Sequence, residues 1–161
     1  MDRHFTVSGF VVHEGRTALH WHPKLDMWLP AGGHVEANED PVEAVLREVT
    51  EELAVEAEII QPSPRQDSGA GPRQIAPPFT VQNCVIEPGS HEHIDFVYFL
   101  HLLRGYPGRS YDPASPLLWF SSEELRTGSA NHNGESRPLA PDVQSLGLEA
   151  IRLAATLPVR T

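Results

Sequence analysis

The segment from Asp40 to Leu53 constrains the fold most, because it carries the clearest helical pattern in the chain. Asp40 is a suitable N-cap, Pro41 fits the first helical position, and Glu43 completes a capping box. The apolar residues of the segment fall within one arc of about 100° on a helical wheel. They are Val42, Val45, Leu46, Val49 and Leu53. The segment therefore predicts an amphipathic helix whose apolar stripe faces the core.

Three carboxylates lie directly beside this apolar stripe. Glu48, Glu51 and Glu52 fall within a second arc and project to one side of the predicted helix. Like charges at this spacing repel by roughly a few tenths of a kcal/mol per pair on a solvated helix. Hard divalent cations such as Mg²⁺ reverse that balance, since they prefer carboxylate oxygens as ligands. Taken alone, however, three helical glutamates are more often a solvated acidic face.

The residues around these glutamates favour the metal-binding interpretation. Gly33 is followed by Glu39 and then by residues 47–55, which read Arg-Glu-Val-Thr-Glu-Glu-Leu-Ala-Val. This pattern resembles the Nudix box, in which a glycine and a glutamate precede Arg-Glu-apolar-any-Glu-Glu-any-Gly-apolar. Ala54 stands where the family has glycine, and the other defining positions match. The flanking segments 28–33 and 119–125 are also similar to those of Nudix domains.

The resemblance implies a fold and an activity. The fold is the Nudix fold, of the α/β (α+β) class, an αβα sandwich with a mixed β-sheet, and we expect residues 1–161 to form one such domain. The activity is hydrolysis of the phosphoanhydride (pyrophosphate) bond of a nucleoside diphosphate linked to another moiety, by water attack with Mg²⁺ or Mn²⁺ bound. The expected partner is a small nucleotide-like substrate, whose identity the sequence does not reveal. Many relatives are homodimers, so a homodimer is also possible.

The resemblance also assigns roles to the residues of the box. Glu48, Glu51 and Glu52 would hold the metal, with the carbonyl of Gly33 as a further ligand. The same three glutamates are the candidate catalytic residues. Glu51 or Glu52 would orient or deprotonate the attacking water, and the sequence does not choose between these two.

Two other box residues are expected to support the site, and one departs from the pattern. Arg47 and Glu39 are predicted to form a salt bridge that fixes the loop on the helix. A glycine at position 54 would end the helix in a left-handed conformation, which costs alanine roughly 1 kcal/mol. We therefore expect Ala54 to give a slightly different helix end.

A later segment offers further candidate ligands. Glu92 is a possible fourth carboxylate of the metal site, with Glu87 as the competing residue. On a strand, His91, His93 and Asp95 would share one face, so a second metal cluster is geometrically permitted. Such short patterns often match by chance. A role at the rim of the site, in substrate contact or surface packing, is favoured over ligation.

Candidate substrate-binding residues are fewer and less specific. Arg65 and Arg73 lie in a polar loop and could bind the second half of a substrate, although solvated loop arginines are equally common. Trp28 is a candidate for stacking on a base, but an aromatic residue beside a strand is more often part of the core. Cys84 lies in an apolar strand and is expected to be a buried core residue.

The remainder of the chain predicts a sheet covered by helices. Six strands are expected, at residues 5–12, 17–21, 55–60, 79–86, 93–103 and 117–120. Residues 20–22 are read as a strand end with a half-buried tryptophan rather than as a pair of histidine ligands. Polar loops are predicted at residues 61–78 and 129–141, and a final helix from Val143 to Leu157.

Composition narrows the possible partners and location. The formal net charge of −10 argues against binding to a nucleic acid polymer, which usually requires a basic face. No apolar run is long enough to cross a membrane. A single cysteine cannot form an internal disulfide, so we expect a cytoplasmic protein.

Two alternative functions stay open. The first is a catalytically inactive Nudix-fold sensor that binds a nucleotide, which the departure at Ala54 favours slightly and the three glutamates oppose. The second is an isomerase of the isopentenyl-diphosphate type, which shares the fold and uses a cysteine. It is disfavoured because Cys84 lies outside any matching motif.

Overall fold

A computed structural model describes residues 1–61, 71–105 and 116–157. The strands in these ranges are β1 (Asp2–His13), β2 (Arg16–His22), β3 (Met27–Leu29), β4 (Ala31–His34), β5 (Val55–Ile59), β6 (Thr80–Glu87), β7 (His91–Gly105), β8 (Leu117–Ser121), β9 (Ser129–His132) and β10 (Glu135–Pro138). The helices are α1 (Pro41–Leu53), α2 (Ser122–Thr127) and α3 (Pro141–Thr156). Within these ranges, no helix is both long and apolar enough to cross a membrane.

The main sheet is mixed, as predicted. Its strands are ordered β3-β2-β1-β7-β5, with β4 also paired to β1, β6 to β7, and β8 to β2. β1 and β7 run parallel, from the pair Asp2 and His91 to the pair Val12 and His101. The other pairings in this sheet are antiparallel. β1 is therefore the central strand against which the elements of the site are positioned.

The sheet separates two apolar cores, one against α1 and one against α3. Successive side chains of β1 alternate between them, since Val11 packs in the α1 core and Phe10 and Val12 in the α3 core. Gly9 allows α1 to approach the sheet closely, because a Cβ at this position would lie 2.8 Å from Val45 Cγ2. The side chains of α1 are thus held directly over β1 and its neighbour β4.

The start of α1 agrees with the sequence prediction. The Asp40 carboxylate accepts hydrogen bonds from the backbone N–H groups of Val42 at 2.8 Å and Glu43 at 3.0 Å. The Glu43 carboxylate accepts from the backbone N–H of Asp40 at 2.8 Å, which completes the capping box. The capping box therefore fixes where α1 begins relative to the preceding loop.

The end of α1 differs from the prediction. Ala54 is the C-cap and adopts φ 60° and ψ 33°, the left-handed conformation expected of a glycine. Its backbone N–H donates to the carbonyl oxygen of Thr50 at 3.2 Å. The expectation of an altered helix end was therefore wrong: the alanine accepts the strained conformation, and the geometry of the helix end is retained.

The predicted polar loop at residues 129–141 was also wrong in part. This segment contains the hairpin β9–β10, which turns at Asn133 and Gly134 with φ angles of 52° and 83°. An Asn-Gly pair is a strong signal for such a turn. His132 stacks on Trp21 with a ring separation of 3.9 Å, and Trp21 is buried rather than half-buried.

Replacing Ala54 with glycine should stabilise the protein. Glycine adopts the left-handed conformation without the steric cost paid by alanine, so Ala54→Gly should raise the free energy of unfolding by about 1 kcal/mol in chemical denaturation. Ala154→Gly, in the right-handed last turn of α3, is the matched control and should lower it by up to about 1 kcal/mol. An Ala54→Gly protein no more stable than the wild type would contradict the strain assigned to this position.

Candidate active site

The glycine strand β4 and the box helix α1 form the centre of the site. The backbone N–H of Gly32 donates to Glu52 Oε2 at 2.9 Å. At Gly33, a Cβ would lie 2.1 Å from Glu48 Oε1 and 2.6 Å from its Cδ. The two glycines thus let the carboxylates of α1 approach the backbone of β4, and a side chain at position 33 would displace Glu48.

The three box glutamates differ in environment. The side chain of Glu48 is 13% exposed, that of Glu52 26% and that of Glu51 59%. Burial raises the pKa of Glu48, the negative charges of Glu52 and Glu51 add to this effect, and Arg47 opposes it. The structure therefore brings Glu48 and Glu52 against β4 and leaves Glu51 at the rim.

Arg47 connects the box helix to the preceding loop. Its Nε and one terminal nitrogen donate to the two carboxylate oxygens of Glu39 at 2.9 and 3.1 Å. The other terminal nitrogen donates to Glu48 Oε1 at 2.7 Å. The His34 carbonyl oxygen also accepts from Arg47, at 3.1 Å. The ion pair expected between Arg47 and Glu39 is present, and it links the loop, α1 and β4.

Glu39 fixes the loop itself. Its second carboxylate oxygen accepts from the backbone N–H of Glu36 at 3.0 Å. The hydrogen bond from Arg47 is the main cause that lowers the pKa of Glu39, with the bond from Glu36 contributing less. Both carboxylate oxygens of Glu39 therefore accept hydrogen bonds within the protein, as expected of a supporting residue.

His20 is a residue of the site that was set aside from the sequence as part of a strand end. Its Nε2 lies 3.2 Å from Glu52 Oε2, and the residue is buried. His20 lies between Leu19 and Trp21, which both face the α3 core. Strand alternation therefore points His20 towards α1, and a period of two along β2 is the signal that would have found it.

A pocket of about 470 Å³ lies beside this centre. Gly32 and Gly33 line it, so the strand that contacts the glutamates is also part of the pocket wall. Apolar side chains from β1, β3 and α3 contribute much of the lining, namely Phe10, Met27, Leu29, Val143 and Leu146. Gln82, His93 and Asp95 add polar groups. A volume of this size is typical of small-molecule sites.

The donor atoms around Gly33 suit a hard divalent cation. Glu48 packs on Gly33 and Glu52 accepts a hydrogen bond from Gly32, while Glu51 adds a third carboxylate at the exposed rim. Mg²⁺ and Mn²⁺ prefer such oxygen ligands, and a cation would offset the mutual repulsion of the three anions. The residues present therefore fit the metal site that the box implies.

Glu92 is placed away from this centre. It forms an ion pair with Arg3 at 2.7 Å, and the two residues are paired across β1 and β7. Gly33 pairs with Val7, four positions further along β1, a separation of about 13 Å. The competing residue, Glu87, accepts a hydrogen bond from Ser90 in the turn between β6 and β7. These positions do not support a fourth carboxylate from either residue.

The structure describes two of the candidate substrate-binding residues, Trp28 and Arg73. Trp28 is 1% exposed and packs on Trp21 and Phe120 in the α3 core, which confirms the core position favoured for it over stacking on a base. Arg73 forms an ion pair with Asp40 at 2.5 Å, about 12 Å along α1 from Glu48. Arg65 lies outside the described residues.

Strands β6 and β7 also line the pocket, through Cys84, His93 and Asp95. Asp95 is buried and accepts hydrogen bonds from Thr6 at 2.9 Å and Gln82 at 3.3 Å. Cys84 is half-buried at the pocket wall rather than in the core, and burial raises the pKa of its thiol. His93 faces the same pocket.

The network around Arg47 should contribute measurably to stability. In Arg47→Lys a single ammonium group replaces the planar guanidinium. The lysine therefore cannot donate to both Glu39 and Glu48 in the way that Arg47 does. We expect the free energy of unfolding to fall by about 1–3 kcal/mol in chemical denaturation. Arg152→Lys, which changes an exposed pair with Glu149, is the control and should cost less than about 0.5 kcal/mol. Equal losses in the two variants would contradict the role of Arg47.

The chain is similar to known hydrolases in sequence and structure. The NUDIX-family hydrolase of Clostridium perfringens is 31% identical, with a TM-score of 0.74 over 95% of this chain and 99% of that chain. The MutT NUDIX hydrolase of Burkholderia pseudomallei is 21% identical, with a TM-score of 0.62 over 93% and 98%. A UDP-X diphosphatase is 18% identical, with a TM-score of 0.57 over 98% of this chain and 63% of that one.

The family assignment rests on the whole domain rather than on the box alone. No curated protein sequence matches the chain significantly. The NUDIX domain profile matches residues 3–143, a range that includes the glycine strand, the box helix and most of the sheet. The structural similarity to solved Nudix hydrolases extends over 95% and 93% of the chain. The chain therefore belongs to the Nudix family and has the Nudix fold.

Proposed function

We propose that this protein hydrolyses the phosphoanhydride bond of a nucleoside diphosphate linked to another moiety. The observation that carries the proposal is the packing of Glu48 and Glu52 against Gly32 and Gly33, which also line the pocket. A carboxylate site and a small-molecule pocket therefore share one strand. Family membership supports hydrolysis of a pyrophosphate bond, and members of the family generally use divalent metal ions.

The box residues would hold Mg²⁺ or Mn²⁺. Glu48, Glu51 and Glu52 are the carboxylate ligands, and the Gly33 carbonyl is the backbone ligand. A bound metal supplies charge neutralisation of the diphosphate and a lowered pKa for the attacking water. Because the chain carries a net charge of −10, an anionic substrate depends on this neutralisation to approach the glutamates.

Glu52 is the better candidate to orient the attacking water. One of its carboxylate oxygens is fixed by the backbone N–H of Gly32 and lies within 3.2 Å of His20. Glu51, by contrast, is mostly exposed and contacts Arg47 at 3.3 Å. A carboxylate held in one orientation loses less entropy when it positions a water molecule. We therefore assign water orientation to Glu52 in addition to metal binding, and metal binding alone to Glu51.

The pocket suits the organic part of such a substrate. Its apolar side chains offer a surface for a base or sugar face, and Gln82 and Asp95 offer hydrogen-bonding groups. With the diphosphate at Gly33, the nucleoside would extend away from α1 towards α3. This arrangement places the reacting bond at the glutamates and recognition in the pocket.

The sensor alternative has lost the observation that favoured it. Ala54 adopts the conformation expected of the family's glycine, so the end of the box helix is retained. Glu48 and Glu52 contact the glycine strand upstream of that position. We therefore prefer the enzyme to the inactive nucleotide-binding domain.

Phosphate release from a panel of nucleotides, with Mg²⁺ or Mn²⁺, tests the proposal. The wild type should hydrolyse one class of nucleotide in the panel, and this hydrolysis should require the metal. Glu51→Gln and Glu52→Gln should each lower that turnover by about 100-fold or more, because each removes a ligand or the group that orients water. Glu56→Gln, at an exposed glutamate of β5, is the matched control and should retain activity.

Two outcomes would contradict the hydrolase assignment. One is an absence of turnover across the panel while the folded protein still binds a nucleotide, which would favour the sensor. The other is metal-dependent turnover that the Glu51 and Glu52 variants leave unchanged.

A further inference from the structure

Four histidines lie together on the pocket side of the sheet, and we call them the histidine cluster. They are His4 of β1, His34 of β4, and His91 and His93 of β7. His4 pairs with His93 across β1 and β7, and His34 pairs with Thr6 across β4 and β1. Strand alternation gives His4 the same face as Thr6, which lines the pocket, as do His34 and His93.

The imidazole nitrogens of this cluster approach one another closely. His4 Nδ1 lies 3.2 Å from His34 Nε2, and His93 Nε2 lies 3.1 Å from His91 Nε2. One ligand atom each of His4, His34 and His93 lies within 4.8 Å of the other two. Three nitrogens around a tetrahedral Zn²⁺ would be separated by about 3.4 Å, given Zn–N bonds of about 2.0–2.1 Å. Small side-chain rotations would bring the three rings to that spacing.

The surroundings of His93 lower its pKa. Burial is the main cause that lowers the pKa of His93, and the neighbouring His34, His91 and His4 lower it further. Neutral imidazole carries the lone pair that binds a metal. The lowered pKa of His93 therefore leaves this imidazole available as a ligand.

Asp2 orients one of the ligands. Its Oδ2 lies 3.2 Å from Nε2 of His4, within hydrogen-bonding distance. A proton on Nε2 shared with this carboxylate leaves Nδ1 as the lone-pair nitrogen, and Nδ1 is the atom that faces His34. Carboxylates in this position orient metal-binding histidines and raise their basicity.

The cluster is separate from the carboxylate centre although His34 follows Gly33 in the chain. Gly33 packs against Glu48 of α1, whereas His34 lines the pocket together with His93. The donors also differ, since imidazole suits Zn²⁺, Co²⁺ and Ni²⁺ while carboxylates suit Mg²⁺ and Mn²⁺. The two faces of one short strand thus present two kinds of ligand.

We propose that His4, His34 and His93 form a second metal site, for a borderline-soft divalent cation such as Zn²⁺. Three protein ligands leave a fourth position for water or another ligand. Because His34 and His93 line the pocket, a ligand bound in the pocket lies beside this ion. The proposal does not rest on the hydrolase activity, since it concerns different residues and a different class of metal.

Titration of the tag-free full chain with Co²⁺ tests the site without any assay of turnover. Four-coordinate Co²⁺ absorbs strongly in the visible region, whereas six-coordinate Co²⁺ on carboxylates absorbs weakly. We expect one equivalent with the four-coordinate spectrum, displaced by Zn²⁺. His34→Gln and His93→Gln should each weaken binding by at least about 100-fold, since loss of a direct ligand should cost no less than loss of a supporting group.

Two controls separate this site from others. His13→Gln removes a histidine of β1 outside the cluster, and Glu48→Gln removes a carboxylate of the box; both should leave the Co²⁺ spectrum and affinity unchanged. Thermal unfolding would establish that each variant is folded. Absence of the four-coordinate spectrum in the wild type, its loss in Glu48→Gln, or its persistence in His34→Gln and His93→Gln would each overturn the proposal.

Discussion

The hydrogen bonds and ion pairs of Arg47 hold the site together. One guanidinium binds both oxygens of Glu39, one oxygen of Glu48 and the His34 carbonyl, so it joins loop, helix and strand. Without the positive charge of Arg47, the glutamates of α1 would repel one another and would also repel Glu39 of the loop. Arg47 offsets part of that repulsion and holds Glu48 against Gly33. The orientation of the remaining glutamates follows from the position of α1 that this contact fixes.

The position of β4 gives the molecule two chemically different surfaces. On the side of α1, the strand contacts carboxylates that suit hard cations. On the opposite side, the pocket is bounded by α3 and by the histidine cluster. The parallel pairing of β1 and β7 is what makes the second surface possible, because it aligns His4 with His93. A substrate in the pocket would therefore contact the second surface directly and would reach the carboxylates only past Gly32 and Gly33.

The sequence predicted best the features that depend on neighbouring residues. Examples are the capping box at Asp40, the extent of α1 and the Arg47–Glu39 pair. The residues that determine them lie within fifteen positions of one another. Features that depend on strands distant in sequence were missed, since no local pattern brings His4 next to His93 or Arg3 next to Glu92. The core position favoured for Trp28 is confirmed, but its partner Phe120 comes from a strand near the other end of the chain and has no local signal.

We infer that the helix held by Arg47 presents its carboxylates to a divalent cation. The sharpest test is Mn²⁺ binding to the full chain, followed through the electron paramagnetic resonance signal of the free ion. We expect binding in the absence of nucleotide that weakens at least about tenfold in Glu48→Gln and Glu52→Gln. We also expect Mn²⁺ binding to be unchanged in His93→Gln. Equal affinity in the wild type and both glutamate variants would contradict the assignment of these carboxylates as metal ligands.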